Sequence, residues 1–509
     1  MKKLEINESR MDNESKVVYE LINNQNSEFD SSIKETAVIL AAGHGKRIKS
    51  HKSKMLHKIW EKPTVERVSD ACRKGLENVN SIIVVGIKAP DVIRAIGETP
   101  NTIFAYQEEQ NGTGHAVQVA IENIDENYNG TIYILPGDMG LIDNESISNF
   151  KNSFIKSSAD MMVLTGLYEG IPTNNSYGRI VRVKEFDENG ESSGVDSGKV
   201  IEIIEHKDIL NLSDDENYLT SFHNKNYSFT KKELIENNEF NSGVYAVDFK
   251  HLRRLLGNID SDNVQGEIYI TDLISIFNND GLTVRAVHPH AQHVLMGFNN
   301  KSVLLEMEHI ARKQTYELIK DIIEIESPDD FFIHEDVVND ILELDQKGKP
   351  LDIKIGKGVY LGKGVKINYN LSLMKNVYVK GNIIFGENVS IWQNVHLSTF
   401  RNQTMTIGEN SEVLWGDIVK GNINIGNNTR IESSVNMTGS DEYPVIIGDN
   451  VTIKGTSYIF GSQIDDDLFI EHSILIKKNI ERIVSKNGEV KNIRFYIPPP
   501  EGIDSITDL

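Results

Sequence analysis

The sequence contains very little cysteine: Cys72 is the single one among 509 residues, so an internal disulfide is excluded. It has no apolar run approaching the roughly 20 residues that cross a bilayer. The first 31 residues are rich in Asn, Glu and Ser and lack the short apolar core of a secretory signal. These absences predict a cytoplasmic protein that has no membrane partner.

Basic residues are scarce relative to acidic ones, since 53 Lys and Arg stand against 75 Asp and Glu, for a formal net charge of -22. A general nucleic-acid-binding protein needs a basic face to displace counterions from phosphates, so no nucleic acid is expected as a partner. One segment without acidic residues departs from this average, and it carries Lys46, Arg47, Lys49, Lys52, Lys54 and Lys58. It is either a solvated basic loop or part of an anion site.

The first half of the chain alternates apolar runs with helical stretches, which is typical of crossover units and a mostly parallel sheet. The predicted strands are 37–42, 81–86, 131–135, 161–167, 178–183 and 243–247, and two predicted helices are 65–74 and 92–96. We therefore expect an α/β domain with a Rossmann-like sheet at 34–300. A polar N-terminal extension at 1–33 precedes it.

The second half has a different period. Apolar residues at helical spacing after Asn300 favour a helical linker at 301–350. From Ile355 onward an apolar residue recurs every six positions, with two four-residue excesses near 400–404 and 440–444. These positions are Ile355, Leu361, Ile367, Leu373, Val379, Phe385, Ile391, Leu397, Ile407, Val413, Val419, Ile425, Ile431, Met437, Ile447, Ile453 and Ile459.

Hexapeptide periodicity of this kind predicts a left-handed parallel β-helix, because each coil buries its inward side chains only against its neighbours. We place the β-helix at 351–478 and a polar C-terminal tail at 479–509. The two excess segments are expected to form loops at corners. Glycines directly after the inward residue, such as Gly408 and Gly426, are expected where a corner has no room for a side chain.

A candidate phosphate site follows the first predicted strand. Small residues there would let backbone N–H groups approach a polyanion closely, and they are Leu40, Ala41, Ala42, Gly43 and Gly45. Arg47 can make forked contacts with phosphate oxygens, and Lys54 can add a point charge. A glycine-rich turn alone is weak evidence, but here basic residues follow it at once.

This segment resembles the signature of sugar-nucleotide pyrophosphorylases, which reads roughly L-A-A-G-x-G-T-R-M, a short spacer, and P-K-x-L. The glycines, Arg47 and Lys54 are kept, whereas Lys46 stands at the usual Thr and Ser53 at the usual Pro. The resemblance implies that Arg47 and Lys54 are catalytic.

Further segments resemble one branch of that family, the bacterial N-acetylglucosamine-1-phosphate uridyltransferases. They are Q-E-E-Q-N-G-T-G-H-A from Gln107, L-P-G-D ending at Asp138, Y-G-R-I from Tyr177, I-I-E-H-K from Ile203, N-S-G from Asn241, Q-G-E-I-Y-I-T-D from Gln265 and G-F-N-N from Gly297.

The resemblance implies a set of binding roles. Nucleotide binding falls to Gln107, Gly112 and Thr113, magnesium binding to Asp138 and Asn299, and sugar binding to Gly178, Glu205 and Asn241. The expected substrates are UTP and a sugar 1-phosphate, foremost N-acetylglucosamine 1-phosphate, and the expected cofactor is Mg2+.

Two departures from the branch leave the substrate and the role of the β-helix open. Pro136 and Gly140 stand where the branch usually has Tyr and Pro, so the acceptor could instead be another sugar 1-phosphate such as glucose 1-phosphate. The β-helix lacks the acetyltransferase motifs of the bifunctional enzymes, and its histidines are His396 and His472. Acyl transfer by the β-helix and a non-catalytic regulatory role of the chain also stay open.

The β-helix is expected to form a homo-oligomer, a trimer.

Overall fold

A computed structural model describes residues 13–43 and 45–496 of the chain. The chain divides into two compact units, the first ending at Met307 and the second beginning at Glu308. Residues 1–12 of the expected N-terminal extension, His44 of the glycine-rich segment and residues 497–509 of the expected tail lie outside the described residues. No helix in the described ranges is long and apolar enough to cross a membrane.

The first unit contains the elements that the alternating pattern predicts, and several more. Its helices are α1 (Asn13–Gln25), α2 (Thr64–Leu76), α3 (Ala89–Ile96), α4 (Thr113–Ile121), α5 (Asn144–Ser157), α6 (His206–Asn211), α7 (Lys231–Glu236), α8 (Phe249–Leu255) and α9 (Leu273–Asn279). Its strands are β1 (Glu35–Ala41), β2 (Lys58–Ile59), β3 (Lys62–Pro63), β4 (Val79–Val85), β5 (Thr102–Tyr106), β6 (Thr131–Pro136), β7 (Met161–Leu167), β8 (Arg179–Arg182), β9 (Val200–Ile204), β10 (Tyr218–Phe222), β11 (Lys225–Phe229), β12 (Glu239–Asp248) and β13 (Val284–Val287).

The main sheet runs in the order β13-β7-β12-β6-β1-β4-β5, and β8 and β9 extend it from β12. Only β12 runs against its neighbours β6 and β7 on this path, while β1, β4, β5 and β6 pair in parallel. The predicted α/β class with a mostly parallel sheet is therefore confirmed. The carboxyl ends of β1 and β6, at the centre of the sheet, lie side by side.

Helices cover both faces of this sheet because its central strands are apolar on both sides. In β1, Ala37 and Ile39 belong to a core shared with α1, α2, α3 and α5, whereas Val38 belongs to a core shared with α4, α8 and α9. A strand buried on both faces reads as a continuous apolar run, as 37–42 does.

Part of the expected N-terminal extension folds onto the sheet. Helix α1 buries Val18 and Ile22 in the core. The residues after it cover β5 at the sheet edge: the Asn26 side chain accepts a hydrogen bond from the Phe104 N–H at 2.7 Å, and the Ser27 N–H donates to the Thr102 carbonyl at 2.9 Å. Pairing the edge strand in this way satisfies backbone groups that would otherwise be open to another chain.

The second unit is built from short strands stacked in coils. Its helices are α10 (Lys301–Ile319), which contains the boundary between the units, and α11 (Glu335–Asp345). Its strands are β14 (Glu324–Ile325), β15 (Phe331–Ile333), β16 (Lys354–Ile355), β17 (Val359–Leu361), β18 (Val365–Lys366), β19 (Ser372–Leu373), β20 (Tyr378–Lys380), β21 (Ile383–Phe385), β22 (Ser390–Ile391), β23 (His396–Ser398), β24 (Met405–Ile407), β25 (Glu412–Val413), β26 (Ile418–Gly421), β27 (Ile423–Ile425), β28 (Arg430–Ile431), β29 (Asn436–Gly439), β30 (Val445–Ile447), β31 (Thr452–Ile453), β32 (Tyr458–Phe460), β33 (Gln463–Ile464), β34 (Phe469–Ile470), β35 (Ile474–Ile476) and β36 (Asn479–Ile480).

These strands form three parallel sheets, which begin at β14, β15 and β18 and take every third strand from β16 onward. Three sheets wound from one chain in this order make a three-sided parallel β-helix, consistent with the left-handed form predicted from the hexapeptides. Strands β14 and β15 pair with β16 and β17, so coil structure also occurs within 301–350, where the sequence period predicts helix alone. No hexapeptide repeat precedes Ile355, so the sequence does not predict these two strands.

The predicted inward positions are all buried, and none is more than 9% exposed. Between β16 and β32 the coils take 18 residues, as Tyr360 and Tyr378 show, or 22 residues, as Ser390 and Glu412 or Arg430 and Thr452 show. The last coils are shorter, since Thr452 pairs with Phe469 and Tyr458 pairs with Ile474. The four-residue excesses therefore form loops between β23 and β24 and between β29 and β30, as expected.

The corner glycines fit the space available to them. A Cβ at Gly408 would lie 2.5 Å from the backbone carbon of Gly426 in the next coil, and a Cβ at Gly426 would lie 2.5 Å from that of Gly448. Since real Cβ atoms do not approach backbone so closely, the stacked corners require glycine for room.

A ladder of asparagines runs along another line of corners. Asn388, Asn410, Asn428 and Asn450 all have left-handed backbone with φ between 53° and 58°. Each side-chain amide donates to the next side-chain oxygen, with distances of 2.9 Å from Asn388 to Asn410 and 3.2 Å from Asn410 to Asn428. Asparagine suits these corners because its side chain tolerates the left-handed region and its amide both donates and accepts.

We expect Asn410→Ala to destabilise the β-helix by about 1–2 kcal/mol, because Ala must adopt left-handed backbone and loses the ladder contacts. Asn410→Gly removes the same amide but adopts the backbone freely, so it should destabilise less. Thermal unfolding followed by circular dichroism compares the two variants. An Ala variant as stable as the Gly variant would show that backbone conformation does not dictate asparagine here.

Candidate active site

The glycine-rich segment and Asp138 meet at the carboxyl ends of β1 and β6. The Gly137 N–H donates to the Leu40 carbonyl at 2.9 Å, which continues the pairing of these strands past their ends. Leu40 and Ala41 therefore lie beside Gly137, which directly precedes Asp138. The carboxyl edge of an open α/β sheet is where such folds bind ligands.

Lys54 connects the two residues expected to bind a metal. Its Nζ forms an ion pair with Asp138 Oδ2 and donates to Asn299 Oδ1 at 3.0 Å. The side chains of Lys54 and Asp138 are only 12% and 14% exposed. Lys54 belongs to a short 3-10 helix, Lys54–Leu56, whose Met55 and Leu56 are buried and fix its position.

Two neighbours restrict where the Lys54 side chain can lie. Gly45 has φ of 57°, and a Cβ there would lie 2.7 Å from the Cβ of Lys54. The fully buried ring of Phe298 has its centroid 5.4 Å from Lys54 Nζ, a favourable cation–π distance. A Cβ at Gly43, in contrast, would meet nothing within 4 Å. Gly43 is exposed, as is Arg47.

The expected nucleotide loop is fixed by hydrogen bonds. Gln107 is 3% exposed, and its Nε2 donates to the Gly112 carbonyl and lies near His115 Nδ1, both at 3.1 Å. Gly112 has φ of 110°, and a Cβ there would lie 2.5 Å from the Ile268 carbonyl oxygen. Only glycine fits this position.

Thr113 begins α4, and its hydroxyl accepts a hydrogen bond from the Ile270 N–H at 3.2 Å. The nucleotide loop is therefore joined to the segment that starts at Gln265. Both segments carry the family resemblance, and the fold brings them into contact.

The three residues expected to bind sugar also lie together. The Asn241 N–H donates to the Gly178 carbonyl at 2.9 Å, and a Cβ at Gly178 would lie 3.1 Å from Glu205 Oε1. The Asn241 side chain is oriented by Tyr245, whose hydroxyl receives its Nδ2–H at 2.8 Å, and by the Gly243 N–H, which donates to its Oδ1 at 2.9 Å.

The carboxyl group of Glu205 is a weaker acid than an ordinary glutamate. Burial, reinforced by the negative charges of Asp208 and Asp272, raises the pKa of Glu205 to about 7, and the guanidinium of Arg179 partly opposes this rise. Burial and nearby carboxylates likewise raise the pKa of Asp272 to about 6. Perturbed acids that converge in one region are typical of functional sites.

Two residues of the site were not among those predicted. Tyr177 takes a hydrogen bond from the Gly297 N–H, and burial together with the charge of Asp138 raises its pKa. Arg179 is fully buried, and its guanidinium donates to the carbonyls of Tyr177 and Asn175. Both flank Gly178 in the Y-G-R-I segment, so the sequence held a signal that pointed to them.

The segment 208–239 has a small core of its own. Helices α6 and α7 and the hairpin of β10 and β11 pack on β8 and β9 through Ile209, Phe222, Tyr227 and Leu234. The Tyr218 hydroxyl donates to Glu202 at 3.0 Å. The segment is therefore a packed part of the first unit beside the sugar-binding candidates.

Both histidines of the β-helix contact a residue of a neighbouring coil. His396 stacks on Tyr378 with ring centroids 4.6 Å apart, and His472 Nδ1 lies 2.7 Å from the Gly455 carbonyl. Within the described ranges neither imidazole lies at ion-pair distance from a carboxylate. A histidine that acts as a general base usually has such a partner or an equivalent one.

Residues 37–189 match the family of MobA-like NTP transferase domains. The bifunctional protein GlmU of Acetivibrio thermocellus is 34% identical over 303 residues, which cover 59% of this chain and 57% of that protein. GlmU of Clostridium tetani is 35% identical over 279 residues, 55% of this chain and 52% of that protein. This chain is similar in sequence to GlmU over more than half of its length.

The GlmU similarity has a limit, since the chain spans little more than half the length of these relatives. Among solved structures, one of a UDP-glucose pyrophosphorylase complexed with UDP-glucose aligns at a TM-score of 0.40 and 15% identity, covering 55% of this chain and 99% of that chain. The NTP transferase match and the GlmU similarity together support a nucleotidyltransferase.

Proposed function

We propose that the first unit is a sugar-1-phosphate uridylyltransferase that transfers the uridylyl group of UTP to N-acetylglucosamine 1-phosphate and releases pyrophosphate. The observation that carries this proposal is the meeting of Lys54, Asp138 and Asn299 beside the glycine-rich segment. The NTP transferase match at 37–189 supports the nucleotide half. The segments that resemble N-acetylglucosamine-1-phosphate uridyltransferases support the choice of sugar. We place the activity in the cytoplasm, where nucleoside triphosphates are available.

The reaction brings two polyanions together, because a phosphate oxygen of the sugar 1-phosphate attacks the α-phosphorus of UTP in line with the departing pyrophosphate. In this proposal Lys54 and Arg47 offset the repulsion and stabilise charge in the transition state. Backbone N–H groups of Leu40, Ala41, Ala42, Gly43 and Gly45 would bind phosphate oxygens. No protein nucleophile is needed.

Asp138 and Asn299 fit a divalent cation. Their oxygens converge on a single positive group, the Lys54 ammonium, and carboxylate and amide oxygens suit Mg2+. The described residues contain no cluster of three or more His, Cys, Asp or Glu side chains able to hold a metal. A site with one carboxylate and one amide agrees with Mg2+, which often takes its remaining ligands from water and substrate phosphates. When bound, Mg2+ would neutralise charge on the phosphates.

The remaining residues would set specificity. We assign uracil recognition to Gln107 and Gly112, with Thr113 at the start of α4, and sugar recognition to Gly178, Glu205 and Asn241. One residue favours the runner-up, another sugar 1-phosphate. Pro136 stands where the branch usually has Tyr, and it lies against the sugar-binding segment N-S-G, since a Cβ at Gly243 would lie 2.9 Å from its ring.

We expect Lys54→Ala and Asp138→Ala each to lower kcat by roughly two orders of magnitude or more, as removal of one preorganised charge-stabilising contact does. Lys58→Ala, an exposed lysine outside the site, serves as the matched control and should keep full activity. Pyrophosphate release from UTP and N-acetylglucosamine 1-phosphate measures all three.

The same assay, run over several nucleoside triphosphates and sugar 1-phosphates, separates the candidate functions. Faster turnover of glucose 1-phosphate would establish the runner-up, and thiol release from acetyl-CoA would reveal acyl transfer in the β-helix. Nucleotide binding without turnover would indicate a regulatory protein. Unchanged pyrophosphate release by the Lys54 and Asp138 variants would contradict the proposed site.

The raised pKa of Glu205 predicts a pH dependence. The carboxyl is protonated below about pH 7 and ionised above it, and the ionised form accepts stronger hydrogen bonds from sugar hydroxyls. We expect KM for the sugar 1-phosphate to fall as pH rises from about 6 to about 8. Glu205→Gln should lose most of this change. Ionisation of the substrate phosphate affects KM equally in both proteins, so it does not account for a difference between them. Identical KM profiles would contradict a sugar contact by Glu205.

We further propose that copies of the chain associate as a trimer through one sheet of the β-helix. The outward rings of Phe332, Tyr360, Tyr378 and His396 stack on one another with centroids 4.6–4.7 Å apart. Ile418 continues this row and is 42% exposed. Such a row of rings and aliphatic groups favours burial against another copy.

Sedimentation of the full chain at micromolar concentration tests this association. We expect a trimer of 57.3 kDa subunits that Ile418→Asp dissociates. Ile384→Asp is the matched control, because Ile384 is 41% exposed but belongs to another sheet. A monomeric wild-type protein, or dissociation by the control variant instead, would contradict the proposed face.

A further inference from the structure

The position of Lys54 raises a question about how a metal would enter the site. Its ammonium contacts one oxygen of Asp138 and one of Asn299, the two atoms best suited to hold a divalent cation. A cation bound to both oxygens would lie within a few ångströms of Nζ. Two positive groups at that separation repel strongly in a mostly buried site, so they cannot share it.

The ammonium is held by several contacts. The Asp138 carboxylate pairs with it, Asn299 accepts its hydrogen bond, and the Phe298 ring lies 5.4 Å away. Gly45 lies along the side-chain stem, since a Cβ there would lie 2.7 Å from Cβ, 3.4 Å from Cγ and 3.5 Å from Cδ of Lys54, and glycine leaves that space open. The four-carbon stem of a lysine is flexible, so its end can change position in this space. The ammonium can therefore exchange partners without a movement of the backbone.

A triphosphate offers the ammonium another partner. Gly45, in the segment that would hold phosphates, lies directly against the stem of Lys54. Rotation of the outer side chain could thus exchange the Asp138 carboxylate for a phosphate oxygen, and a lysine forms such phosphate contacts readily.

We propose that Lys54 is an exchangeable occupant of the metal position: it neutralises Asp138 and holds Asn299 in the free protein, and it moves to the triphosphate when a divalent cation replaces it. This inference rests on the proposed function, which makes Asp138 and Asn299 metal ligands. The inference adds to the proposed function an order of binding. A divalent cation alone must displace the ammonium, and it therefore binds weakly. The metal and the triphosphate then bind together.

The proposal differs from a purely structural role for the ion pair. If the ammonium occupies the site for most of the time, the apparent affinity for a metal falls by the fraction of protein that is free to bind it. Removing the ammonium then tightens metal binding. If Lys54 only supports the fold around Asp138, removing it disorders the ligands and weakens metal binding.

Titration with Mn2+ in the absence of nucleotide, followed by the electron paramagnetic resonance signal of free Mn2+, separates the two cases. We expect Lys54→Met and Lys54→Gln to bind Mn2+ about tenfold or more tightly than the wild type. Lys58→Gln removes one positive charge from an exposed position and should leave the affinity within about twofold, because solvent screens that charge. Misfolding cannot mimic tighter binding.

Asp138→Ala distinguishes failure of the inference from failure of the proposed function. If Asp138→Ala abolishes Mn2+ binding but both Lys54 variants bind as the wild type or more weakly, the exchange is wrong and the metal site stands. If Asp138→Ala binds Mn2+ as the wild type does, the ligand assignment fails, and the inference is overturned with it. Equal tightening in Lys58→Gln would reduce the effect to net charge and would also overturn the exchange.

Discussion

The contact of one ammonium with two oxygens, Lys54 with Asp138 and Asn299, is the interaction on which the candidate site depends. Three parts of the first unit must be correctly placed for it to form: the loop after β1, the end of β6 and the segment before α10. The parallel pairing of β1 and β6 supplies the first two, and the buried ring of Phe298 anchors the third. The site is therefore a product of the sheet's topology as much as of its charged residues.

The two units are stabilised by different kinds of contact. The first unit buries apolar strands between helices, so the contacts in its site join distant parts of the chain, and Lys54 and Asn299 are 245 residues apart. The second unit repeats one short structural pattern, an inward apolar residue followed by a corner of glycine or asparagine. Each coil contacts mainly its neighbours. Its regular faces suit self-association, and the unique geometry of the first unit suits chemistry.

This difference explains what the sequence could predict. The inward positions of the β-helix were correct because each depends on a six-residue period, and both loops followed from breaks in it. Strands β1, β4, β6, β7, β8 and β12 were predicted from apolar runs. Strands β2, β3, β5, β9, β13 and the hairpin of β10 and β11 were missed because such short strands carry no clear period. Helix α1 was missed because its polar residues outnumber the few, Val18 and Ile22, that it buries. The candidate site residues came from the resemblance, and no local pattern could have foreseen that Lys54 bridges Asp138 and Asn299.

The most direct measurement is a crystal structure of the full chain with Mn2+ and UTP, with the manganese located by anomalous scattering. We predict a manganese peak coordinated by Asp138 and Asn299, with Lys54 Nζ moved onto a phosphate oxygen and uracil beside Gln107. Manganese bound elsewhere, with Lys54 still paired to Asp138 while UTP is present, would contradict the proposed site.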